Sequence, residues 1–215
     1  MIKKIAVRDL VIAAMIVGAA VVWAGTTASD LTSANAQKEE TTFGDLAADA
    51  LCDAAGTTIA LIPAVSFRSG SIPSGEVTGP QVGALLTQPG EKWAVVSLSG
   101  SQLQRTLERS VSRAPMPNAG FLQVSGITLT YNPENPRDSR IVSLMVSGAA
   151  VKADGTYEVA MPLSLAKGGS GYFQIFGEDD IARTGEDKMA ALIVRYVNAK
   201  GSVNYTGQGR VVIGE

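Results

Sequence analysis

The sequence predicts an α+β fold, a mixed β-sheet packed with helices. Stretches that read as strands follow one another directly, as at residues 121–124, 127–131 and 141–146. A doubly wound parallel sheet would need a crossover helix after nearly every strand, so that class is excluded. Apolar residues recur at helical spacing in separate segments, at residues 43–55, 103–111 and 189–197. Hydrophobic residues make up 46% of the chain and charged residues 18%, a composition that buries a core and does not describe a disordered chain.

Residues 1–36 read as a signal peptide or N-terminal signal anchor with a tether. Lys3, Lys4 and Arg8 give a positive start, and residues 10–24 form an uncharged apolar run, shorter than the ~20 residues of a spanning helix. Ala34-Asn35-Ala36 has the small-x-small form of a cleavage site, and Val22-Trp23-Ala24 is a second candidate. The chain is therefore expected to be exported: periplasmic, secreted, or membrane-anchored facing outside, touching the membrane only through this segment. Residues 30–41 are polar and read as a flexible tether, with the folded domain at residues 37–215.

Within the domain, Phe43, Leu46, Ala47, Ala50, Leu51 and Ala54 mark a helix capped by Thr41 or Thr42 and ended by Gly56. Residues 59–62 are a short apolar strand stopped by Pro63, and residues 69–75 a loop. A short helix at 79–86 precedes a strand at 93–98. Ser101-Gln102-Leu103-Gln104 has the form of a capping box, before a stripe of Leu103, Leu107 and Val111. After the strands at 121–146 comes another at 157–163, then the glycine-rich loop Lys167-Gly168-Gly169-Ser170-Gly171-Tyr172. Thr184-Gly185-Glu186-Asp187 reads as the cap of the last helix, which Gly201 terminates, and residues 210–213 as a closing strand.

Residue types narrow the chemistry. The chain has no histidine, which removes Ser-His-Asp and Cys-His catalysis and nearly every familiar zinc-hydrolase site. Its single cysteine, Cys52, allows no internal disulfide and reads as a core residue. A net charge of −2 with scattered basic residues argues against nucleic acid as a partner. Arg105, Glu108 and Arg109 fit a solvated helix face, and Glu178-Asp179-Asp180 a solvated acidic turn. No metal site and no cofactor are expected.

Several segments in order carry a resemblance. Phe43-Gly44-Asp45-Leu46-Ala47-Ala48-Asp49-Ala50-Leu51, Val96-Ser97-Leu98-Ser99-Gly100-Ser101-Gln102-Leu103 and Gly120-Phe121-Leu122-Gln123-Val124-Ser125-Gly126 are followed by Thr130-Tyr131-Asn132 and Ser139-Arg140-Ile141-Val142. Gly155-Thr156-Tyr157-Glu158-Val159-Ala160 and Gly168-Gly169-Ser170-Gly171-Tyr172 complete the series. Over residues 40–214 the chain resembles the C-terminal domain of the 5′-nucleotidase / UDP-sugar hydrolase family. That family carries its two catalytic metals on a preceding metallophosphoesterase domain, for which the expectation here is that nothing but the export segment precedes residue 40.

The resemblance implies a nucleoside pocket with two aromatic rings around the base and Arg and Asn side chains on polar groups. The family's Asn-Gly-Gly-Gly-hydrophobic-Arg loop corresponds to Pro63-Ala64-Val65-Ser66-Phe67-Arg68, in which only Arg68 is kept. The first stacking Phe falls at Gln88-Pro89-Gly90, where Pro89 offers no ring stack. Tyr172 keeps the second aromatic, with Gly169 and Gly171 beside it, while Ser170 replaces an Asp. The candidate substrate-binding residues are thus Arg68, Tyr172, Gly169 and Gly171, with no catalytic residue. Two functions stand: a binding module for a nucleoside or nucleotide, linked to nucleotide catabolism and open to a separate metallophosphoesterase subunit, or an interaction or structural protein that kept the fold and lost the ligand. A self-sufficient hydrolase is disfavoured for want of metal ligands or a base–nucleophile pair.

Overall fold

The computed structural model describes residues 23–215. The chain runs β1 (Trp23–Thr27), β2 (Leu31–Thr32), α1 (Thr42–Ala55), β3 (Ile59–Pro63), β4 (Ser71–Ile72), β5 (Gly75–Thr78), α2 (Gly79–Ala84), β6 (Trp93–Ser99) and α3 (Gly100–Val111). It continues through β7 (Leu122–Ser125), β8 (Ile127–Tyr131), β9 (Ile141–Val146), β10 (Ala149–Ala150), β11 (Thr156–Pro162), α4 (Leu163–Ala166), β12 (Ile181–Gly185), α5 (Met189–Lys200), β13 (Ser202–Val203) and β14 (Val211–Ile213). Mixed sheets packed with helices are the α+β architecture the sequence predicts.

The central sheet has the order β12-β6-β11-β3-β7, with β11 and β3 its one parallel pair. A second sheet, β10-β9-β8-β14, branches off where β7 turns into β8 at Gly126. At Gly126 φ is +73°, and a Cβ would run into the Thr58 carbonyl, so only glycine allows the corner. A third sheet, β13-β1-β5, and the small pair β2-β4 close the other side.

Helix α1 forms where apolar positions recur at helical spacing, starts where the Thr41 side chain accepts from the Gly44 amide at 3.2 Å, and ends on Gly56 at φ +64°. It is buried along most of its length, packing on β3, β7 and α5. Helix α3 starts earlier than the capping pattern at Ser101 implied. Ser99 is the cap, accepting from the Gln102 amide, and the Gln102 side chain returns to the Ser99 amide at 2.9 Å. Thr184 and Gly185 are likewise strand rather than cap, because they pair with Ala94 and Trp93 of β6, and α5 starts after Lys188. Residues 69–75, expected as a loop, contain β4 and the start of β5.

The largest departure from expectation is at the N-terminal side. Residues 30–41 are not a tether. Leu31 and Ala36 are buried in the core, β1 pairs with both β5 and β13, and the Asn118 amide donates to the Gln37 carbonyl at 2.9 Å. Gln123 explains why the segment is held. Its Oε1 accepts from the Thr41 amide and hydroxyl at 2.8 and 3.1 Å, and its Nε2 donates to the Ala36 and Glu39 carbonyls at 3.1 and 2.8 Å. A buried amide satisfied on all four sides is specific, since an unmet donor or acceptor there costs ~1–3 kcal/mol. Gly44 leaves room for it, as a Cβ would overlap the Gln123 amide. The cleavage pattern at residues 34–36 therefore lies inside packed structure, while residues 1–22 of the export segment lie outside the described residues. Among the described residues no helix is long and apolar enough to cross a membrane.

The C-terminal strand is fastened to α1 by charge. Arg210 makes a two-pronged contact with Asp49, at 2.7 and 2.9 Å, and also donates to the Val124 carbonyl. Ser125 and Tyr205 donate to the same Asp49 carboxylate at 2.6 and 2.8 Å, and Glu40 accepts from the backbone amides of Gln208, Arg210 and Val211. Beneath this cluster Asp45 is fully buried with no hydrogen-bond partner, 3.5 Å from Arg210 Nε. Burial, opposed by Arg210 and reinforced by Glu40 and Asp49, pushes its carboxyl up to about 8.

A carboxyl raised in the folded state contributes stability that is fully present below its unfolded value near 4 and is lost as pH rises through about 8. The melting temperature of the chain should therefore fall across that window. Asp45→Asn, which keeps the shape without the charge, should flatten the fall, as read by circular dichroism melts along a pH series.

Candidate functional site

The loops that carry the sequence-derived site residues meet on one brace, residues 117–121. The Ala64 amide donates to the Phe121 carbonyl at 2.7 Å and the Val65 amide to the Ala119 carbonyl at 2.9 Å, which fixes the turn after β3. The Tyr172 hydroxyl donates to the Gly120 carbonyl at 2.6 Å, which fixes the glycine-rich loop after α4.

Arg68 stands at the end of the first loop. Its amide donates to the Leu85 carbonyl at 2.9 Å, and the Ser33 hydroxyl donates to its carbonyl. Phe67 before it turns inward onto Phe43, edge to face, with ring centroids 5.9 Å apart. The backbone is thus pinned while the Arg68 side chain is exposed. Beside it lies a cleft of about 230 Å³, with Ser33, Asn35, Gln37 and Lys38 on one wall and Phe67 and Pro117 on the other. The polar wall belongs to the segment the sequence reading assigned to a tether. Low hydropathy and lack of periodicity gave no signal that it folds.

Tyr172 does not present a stacking face. It is fully buried, stacks on Phe176 at 5.6 Å, and lies under the Arg109 guanidinium at 5.3 Å. Burial raises its phenol well above the ordinary range. The exposed ring is that of the next residue, Phe173, at 69% exposure. Gly169 and Gly171 are glycine for packing. A Cβ at Gly169 would press on the Ser164 carbonyl, and one at Gly171 on the Arg109 guanidinium. The structure therefore places Arg68 beside one cleft and Gly171 on the wall of another, formed with α3. Among the described residues no group of three or more His, Cys, Asp or Glu side chains is placed to hold a metal ion.

Comparison with known proteins adds the following. The sequence model described as 5′-nucleotidase, C-terminal domain, matches residues 17–178. A snake venom 5′-nucleotidase from Naja atra is 30% identical over 131 residues, covering 57% of this chain and 25% of the relative. The 5′-nucleotidase of Homo sapiens is 29% identical over 146 residues, covering 64% of this chain and 25% of the relative. The crystal structure of a 5′-nucleotidase precursor from Thermus thermophilus superposes with a TM-score of 0.81 at 28% identity, over 90% of this chain and 40% of that one. The chain spans about a quarter of the length of these curated relatives.

The two neighbouring aromatic residues should behave oppositely. Tyr172→Phe strands the Gly120 carbonyl and should cost ~1–3 kcal/mol in urea unfolding. Phe173→Ala, at an exposed position, should stay within about 0.5 kcal/mol of the parent. Equal effects would contradict the inward and outward assignment.

Proposed function

The chain belongs to the 5′-nucleotidase C-terminal domain family, and on that premise we propose that it binds a nucleoside or nucleotide in the cleft beside Arg68, within nucleotide catabolism. The observation that carries this reading is the build of the cleft. Ser33, Asn35, Gln37 and Lys38 line the cleft together with Phe67 and Pro117, and the exposed Arg68 lies between two lining residues, Phe67 and Ser69. A few fixed polar groups against apolar surface is the general form of a small-molecule site. Arg68 serves as the clamp on ribose or phosphate oxygens, using its planar fork of donors. Phe173 rather than Tyr172 is the exposed ring of the glycine-rich loop, and Gly169 and Gly171 act by shaping that loop.

Hydrolysis of a bound nucleotide would be carried out by a metallophosphoesterase unit, in line with the family resemblance, with this domain presenting the substrate. The positive start and apolar run of residues 1–24, and the match to a venom enzyme, support export.

A second reading, a protein-interaction domain, is favoured by Pro63 and Pro89 at positions where the resemblance leads one to look for Asn and Phe. The exposure of Val65 at 48% and Met116 at 61% points the same way. Thermal shift of the full chain against AMP, adenosine, UDP-glucose and inorganic phosphate separates the two readings. Saturating ligand, at a hundred times its dissociation constant, should add ~2.7 kcal/mol. Arg68→Ala should weaken binding about tenfold or more. No shift with any of the four at millimolar concentration would favour the interaction reading.

A further inference from the structure

Away from the Arg68 cleft, a larger cavity of about 530 Å³ lies between α3 and residues 171–175. Its wall carries two guanidinium groups one helical turn apart, Arg105 and Arg109. Neither takes part in any ion pair of the described residues. Each donates to one backbone carbonyl of the facing loop, Arg105 to Gln174 at 3.2 Å and Arg109 to Ser170 at 2.9 Å. A guanidinium has five N–H donors, so most are unspent, and the buried Nε of Arg109 has no acceptor at all.

The geometry is also prepared. The Arg109 guanidinium lies over the Tyr172 ring and against Gly171, in the space a Cβ would fill, so its orientation is set before any ligand arrives. The Glu108 carboxylate does not compete for the two guanidinium groups as a hydrogen-bond acceptor. Both oxygens of Glu108 are taken by the amides of Arg140 and Ile141, at 2.9 and 3.0 Å. That leaves Asp138, exposed on the cavity wall, able to accept from a hydroxyl. Gln104 and Gln174 add neutral amides.

We propose that this cavity is a second binding site, for a phosphate monoester whose organic part carries hydroxyl groups. The phosphate sits on Arg105 and Arg109, whose forks match its oxygens, and the hydroxyl end donates to Asp138. The site is independent of the Arg68 cleft, and adenosine, which has no phosphate, reports on that cleft alone.

The test is calorimetric titration of the full chain at low ionic strength with glycerol 3-phosphate, inorganic phosphate and glycerol. Saturable binding is expected for both phosphates, tighter for glycerol 3-phosphate, and none for glycerol. Arg105→Ala and Arg109→Lys should each weaken phosphate binding about tenfold, and Asp138→Asn should abolish the preference for glycerol 3-phosphate. Because Arg109 also braces the loop, Arg105→Ala is the decisive variant, and a circular dichroism melt confirms that it folds. No saturable phosphate binding, or binding unchanged in Arg105→Ala, overturns the site. Equal affinity for inorganic phosphate and glycerol 3-phosphate overturns the role given to Asp138.

Discussion

Helix α1 can be buried on nearly every side because its polar groups, Asp45 apart, are answered from three distant parts of the chain. Asp49 is met by Arg210, Tyr205 and Ser125, and the amide at the helix start is covered by Gln123, which also grips the backbone at Ala36 and Glu39. Contacts of this kind specify as much as they stabilise. A buried carboxylate that lost Arg210, or a Gln123 that lost its carbonyls, would leave uncompensated polar groups in the core, the costliest kind of defect. The segment before α1, the strand β7 and the C-terminal strand β14 therefore have one arrangement relative to one another.

That arrangement reaches the clefts directly. Strand β7 holds Gln123, and the residues just before it are the brace from which both site loops hang. Ala64 and Val65 bond to one side of residues 117–121 and Tyr172 to the other. The interior use of Tyr172 follows from this. With its hydroxyl committed to Gly120 and its face covered by Arg109 and Phe176, it fixes the loop that displays Phe173 outward and Gly171 against Arg109. One anchor thus shapes the surface next to two cavities.

Much of this was legible in the sequence. Helices α1, α3 and α5 announce themselves by periodicity, the strands of the central sheet except β12 by apolar runs between turns, and the family by its motifs in order. What was missed shares a physical cause: it depends on partners far away in the chain. Strand β1 is five residues long and includes a glycine and two threonines. It pairs with β5 and with β13, both remote in the chain, so no local pattern sets it apart from the apolar run before it. Residues 33–38 show no apolar periodicity and are held by partners remote in the chain, Ser33 by Arg68 and Gly70, Ala36 by Gln123 and Gln37 by Asn118. Arg105 and Arg109 have the spacing of a solvated helix face, and nothing on the helix shows that a glycine loop folds over them. That Tyr172 points in and Phe173 out is settled by the hydrogen bond to Gly120, which the order of the two residues does not reveal.

Residues 23–41 belong to the domain, and residues 33–38 of that segment line the cleft beside Arg68. The most direct measurement compares the full chain with versions starting at residue 23 and at residue 37, by thermal melting and by adenosine titration. The version from 23 should melt like the full chain and bind adenosine equally. The version from 37, which lacks β1, β2, Ser33 and Asn35, should melt lower and lose binding. If the version from 37 matched the full chain in both, the segment would be a tether after all, and the site would lie elsewhere.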